Sequence, residues 1–225
     1  MKRTYAYVLI SITALVLLFQ VSRSVEDISH KKHRLEVLYL PSGQFMEQAS
    51  LGYKNLAADI LWFKTVQYYG GYRMGENDLA LFKHLVEVIT DLDPQFVFAY
   101  QFGALIIAED LGYFEEGIEF LEKGMWNNPT NWWMPFELGF LHYVDAGDYE
   151  TAARYFRLAS QMPGAGEITR RFAAFVVAKA GHIETSIAMW KELARTTENE
   201  YIREIAGWYI EKLEAQLEDR HMEGE

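Results

Sequence analysis

Along most of this chain apolar residues return at intervals of three and four, the spacing that places them on one face of a helix, with no strand-like alternation. The pattern predicts paired helices over Phe96–Asp110 and Phe114–Asn127, over Trp132–Ala146 and Tyr149–Gln161, and over Glu167–Ala180 and Ile183–Thr196. Upstream, Leu51, Leu56, Ala57, Ile60 and Leu61 mark a long helix from Phe45 to Tyr69. A loop over Gly70–Asn77 separates it from a helix over Leu79–Thr90, with Asp78 as N-cap. A last helix, from Asn199 to about Leu217, carries Ile202, Ile205, Ala206, Tyr209, Ile210 and Leu213 on one face and charges elsewhere, which is what an end cap needs.

The pairs are copies of one another. Pro94 and Pro129, Gly112 and Gly147, Gly117 and Ala152, and Gly124 and Ala159 each lie 35 residues apart. A third copy follows at 34, with Gly181, Ser186, Trp190 and Leu193 answering Gly147, Ala152, Phe156 and Ala159. A period in the mid-thirties predicts stacked helical hairpins. Small residues return where helices must approach closely: Gly103-Ala104 and Leu138-Gly139 on the first helix are expected to face Gly117 or Ala152 on the second.

The set Leu138-Gly139, Gly147, Ala152, Phe156 and Ala159, with Pro94 and Pro129 closing the preceding helices, resembles the tetratricopeptide repeat, with one extra residue before the turn glycine. The resemblance covers roughly residues 50–196. It implies an all-α, right-handed superhelical solenoid of about four such hairpins plus a capping helix, and an interaction scaffold whose partner is another protein or peptide segment.

Within the helix from Trp132, the residues Trp133, Phe136, Phe140 and Tyr143 are spaced 3, 4 and 3 apart and share one face. In the resemblance, these first-helix positions line a concave partner-binding groove, to which the other copies contribute Phe98, Gln101, Leu105, Asn55, Asp59, Trp62 and Arg170. The competing reading is that the rings pack on the neighbouring repeat, since stacked helices bury such positions. The family's basic clamp for carboxylate-ended peptides is missing: the matching places hold Asn55, Gln101, Phe136 and Arg170, then Asp59, Leu105, Phe140 and Ala174.

The amino terminus reads differently. After Lys2 and Arg3, Tyr5–Val21 is a run of 17 uncharged residues, close to the length that spans a hydrocarbon core. Ser22-Arg23-Ser24 is a poor cleavage site, so residues 1–22 are expected to stay as a signal anchor, a single transmembrane helix. Residues 23–45 form a polar connector whose apolar Leu35–Leu40 is expected to dock on the first repeat; residues 46–198 are the repeat domain and 199–225 the cap and tail. Arg23, Lys31, Lys32 and Arg34 outnumber Lys2 and Arg3, a count that would keep the body in the cytoplasm, but the later cluster is diluted by Glu26 and Asp27 and large domains translocate with little regard to charge, so the body is expected outside the cytoplasm, on the periplasmic side if bacterial.

Charge narrows the partners. Residues 1–36 carry six basic and three acidic residues and residues 37–225 carry 15 and 29, a body at −14 that would repel nucleic acid. With no cysteine there is no thiol nucleophile, thiolate metal site or haem attachment, and the six histidines show no metal spacing. Nothing pairs a nucleophile with a base, so neither an enzyme nor a cofactor is expected. Glu115, Glu116, Glu119 and Glu122 read as a solvated helix face, His142 as a core histidine, and Asp59 as a charge in need of a partner. Two functions remain: a membrane-tethered scaffold or assembly factor for an envelope complex, and, as the alternative, a groove that takes a small apolar ligand or lipid chain.

Overall fold

The computed structural model describes residues 50–223 together with Gln20, Met46 and Gln48. The expected anchor and the Leu35–Leu40 segment lie outside the described residues, and among those described no helix is long and apolar enough to cross a membrane.

The described chain is helical, without strands: α1 (Lys54–Arg73), α2 (Phe82–Leu92), α3 (Val97–Leu105), α4 (Phe114–Asn127), α5 (Trp133–Leu141), α6 (Tyr149–Gln161), α7 (Glu167–Lys179), α8 (Ile183–Thr196) and α9 (Glu200–Glu223). Each helix packs against the next, so the molecule is a row of four hairpins closed by α9. The core is correspondingly a chain of clusters. Phe82, Leu85, Ile89, Tyr100, Ile107 and Leu121 fill the first two hairpins, Phe136, Phe156, Ala173 and Val177 join the third to the fourth, and Trp190, Leu193, Ile202 and Ala206 seat the cap. The Trp190 ring stacks on Tyr209 of α9 at 4.6 Å.

The extra residue of the 35-residue period has a definite place. α3 and α5 each end in a π-helical turn, Ile106–Asp110 and His142–Ala146, and the Leu111 N–H donates to the Ile106 carbonyl five residues back. α7, whose copy follows at 34, has no such turn. One residue inserted into a helix widens a single turn instead of shifting everything after it. Gly112 and Gly147 then reverse the chain at φ of +74° and +63°, a region that L side chains seldom enter.

Several expected boundaries move. α1 starts at Lys54, not Phe45, because Leu51 and Gly52 adopt φ of +50° and +91° and break the helix ahead of it. It continues through Gly70 and Gly71 to Arg73, since Tyr68, Tyr69 and Tyr72 keep packing on the core. α2 begins at Phe82, because Asp78 Oδ1 accepts from the Ala80 N–H and closes a separate turn first. The cap reaches Glu223. The close-packing partners also differ: Gly117 faces Ala104 as expected, but Gly139 lies under the Phe156 ring rather than against Ala152. Nor are the acids of α4 all idle, since Glu116 pairs with Lys83 of α2 at 2.5 Å and Glu122 accepts from the Tyr155 hydroxyl at 3.0 Å.

Candidate functional site

The first helices of the hairpins place the predicted groove residues in two groups. Phe98 stands on α3, 70% exposed, and Trp133 on α5, 41% exposed. Gln101 and Leu105 of α3, and Phe140 with Tyr143 at the end of the α5 copy, are half-buried. Tyr143 meets Phe175 of α7 edge-on at 6.1 Å, and Phe140 packs on the cluster between the third and fourth hairpins.

The second group has structural employment. Phe136 is only 6% exposed, with its ring 5.2 Å from Phe156 and 5.3 Å from Phe172, so of the two readings of the stripe this ring follows the packed one: it leaves the expected groove and joins α5 to α6 and α7. Trp62 is half-buried, tilted on Phe96 at 5.5 Å and edge-on to Phe102 at 5.6 Å, between the first and second hairpins. Arg170 donates to Thr196 Oγ1 at 3.0 Å and reaches Glu167 at 3.4 Å, which ties α7 to α8. Asp59 is exposed on α1, with no ion pair in the described residues. His142 is half-buried and stacks on Tyr155 at 5.6 Å.

Beside Trp133 stands a carboxylate that the periodicity passes over. Glu137 is the one charged residue in the α5 sequence WMPFELGFL, half-buried, and it accepts from the Trp133 indole N–H at 2.8 Å. Burial pushes its carboxyl up, and the indole bond holds it partly down. Its sequence signal was a lone charge in an apolar helix. At the π turns, burial raises Glu109, with Asp145 and Asp110 adding like-charge repulsion, and burial also raises Asp145. Asp110 is engaged with the Tyr69 hydroxyl at 2.8 Å, which joins the second hairpin to α1. Around Trp133 the chain thus offers exposed aromatic surface with a half-buried carboxylate bonded to it.

The chain matches no family model and no curated protein. Solved structures are similar to it, among them two helical-repeat proteins. One is a thermophilic TPR protein of Thermus thermophilus, at 12% identity and a TM-score of 0.46, covering 73% of this chain and 94% of that one. The other is MamA, at 14% identity and a TM-score of 0.44, covering 68% of this chain and 95% of that one.

Proposed function

We propose that this chain is an interaction scaffold of the tetratricopeptide kind, held at a membrane by residues 5–21, with its body outside the cytoplasm and a protein segment docked on the first helices of the second and third hairpins. The observation that carries the reading is the pair Phe98 and Trp133. They occupy equivalent places one repeat apart and remain 70% and 41% exposed while Phe136 beside them is buried. A large ring left wet on a packed helix loses apolar burial that a partner can recover, about 1 to 2 kcal/mol for a ring such as Phe98. Gln101 and Glu137 add polar handles that fix orientation.

A photo-crosslinking residue in place of Phe98 tests this in membranes. It should capture a defined partner, whereas the same residue in place of Trp126, which is 84% exposed on α4, should not. Equal capture from both positions, or none from Phe98, would remove the docking face.

A further inference from the structure

The face of α1 turned away from its own hairpin carries an apolar seam. Tyr53, the N-cap residue, and Leu56, Ile60 and Phe63 within the helix recur at 3, 4 and 3 and are 71%, 56%, 53% and 64% exposed, and Gln67 continues the spacing. The opposite side of the helix, Ala58, Leu61, Thr65 and Tyr68, is the buried one. A helix packed on one side ordinarily turns polar residues outward, so four large apolar side chains in one line, each more than half exposed, mark a surface that something covers.

The spacing and the flanking charges say what. Tyr53, Leu56, Ile60, Phe63 and Gln67 follow the a, d, a, d, a positions of a heptad, and at its centre Leu56 at d and Ile60 at a are the residue types that favour two parallel strands. In that register Asp59 falls at g and Lys64 at the following e, five residues on, and neither has an ion pair in the described residues. Between parallel helices each g position meets the e position five residues further along the partner. Two copies therefore set Asp59 against Lys64 twice, whereas an antiparallel pair lays g flank on g flank and e flank on e flank and so separates Asp59 from Lys64.

We propose that α1 is a self-association surface, through which two copies of the chain pair in parallel, with Leu56, Ile60 and Phe63 in the seam and Asp59 of each copy meeting Lys64 of the other. The exposed seam amounts to about 500 Å² per copy, on the order of 1,000 Å² for the pair, which reaches the lower edge of a specific interface and leaves orientation to the charges. The parallel arrangement puts the amino-terminal ends of both α1 helices on one side, which suits the membrane tether of the proposed function, on which this point rests. This pairing uses a different face from the aromatic one and stands independently of it.

The full-length chain, purified in detergent, should show by light scattering a protein mass twice its 26.1 kDa. Ile60→Asp should return it to the single-chain mass with helical content unchanged. Asp59→Lys and Lys64→Asp should each weaken the pair, and the two together should restore it. The chain has no cysteine, so Gln67→Cys supplies one thiol at the end of the seam, which oxidation should link to its own copy only in a parallel pair, because an antiparallel pair centred on the seam would hold the two thiols about 20 Å apart. A single-chain mass at all concentrations would overturn the proposal and leave the face to the connector or to lipid. An unlinked Gln67→Cys, or a double charge swap that fails to restore pairing, would overturn the parallel geometry.

Discussion

Gly117 of α4 lies against the Ala104 carbonyl of α3, so close that a Cβ built on it would stand 2.8 Å from that oxygen and 2.9 Å from the Ala108 Cβ. The obstacle is backbone and a short side chain, neither of which can swing aside, so the two helices can meet here only over a glycine. Gly117→Leu should therefore cost about 3 kcal/mol or more, and Ala152→Leu, at the fully buried equivalent one repeat on, about 1 to 3 kcal/mol. Denaturant midpoints at constant slope would check both. A wild-type midpoint for Gly117→Leu would mean the hairpin opens at no cost.

Phe98 and Phe136 are both phenylalanines on first helices, and their burial sets them apart. Phe136→Ala removes a ring that is 6% exposed and packed on Phe156 and Phe172, and should cost about 3 to 5 kcal/mol. Phe98→Ala removes a ring that is 70% exposed and should change stability by about 0.5 kcal/mol or less. Thermal melts of the two variants separate scaffold packing from docking surface before any partner is identified.

How much of this was legible in sequence follows from what each pattern encodes. Periodicity and the repeated Gly, Ala and Pro positions located hairpins two to four almost to the residue, because helical spacing and turn glycines are local physics. Which ring of a shared stripe is wet was not legible: Trp133 and Phe136 lie three residues apart, yet the neighbour α7 covers only the second. That choice depends on the angle between hairpins, which no spacing within one helix records. Glu137 was passed over for a related reason, since a lone acid in an apolar helix has meaning only once its Trp133 donor is in place.

The π turns give a third prediction. Because the fourth hairpin reaches its turn glycine without the extra residue, deleting Ala146 should convert the third hairpin to that shorter form and preserve the fold, with a modest shift in melting temperature. Deleting Leu138 instead rotates the rest of α5 by about 100° and drives its buried face outward, so that variant should unfold. Circular dichroism of the pair decides it, and equal damage from both deletions would show that the π turn is not a removable insertion.

Glu137 gives the last, through its pH dependence. Its carboxyl is raised by burial and lowered by the Trp133 N–H, so Trp133→Phe, which removes that donor, should push it higher still. Carboxyl-carbon NMR titration of the two proteins would measure the change. The sign for stability follows. A carboxyl raised in the folded state holds its proton longer there than in the unfolded chain, so its contribution is present below the unfolded value and is lost as pH rises through the folded one. Near neutral pH Glu137 therefore weakens the fold, and Glu137→Gln should be more stable than wild type at pH 7 and lose that advantage in acid. An unchanged titration in Trp133→Phe would mean that the indole bond does not set the charge on this face, and a destabilised Glu137→Gln at pH 7 would mean that the carboxylate has a cationic partner in the folded protein.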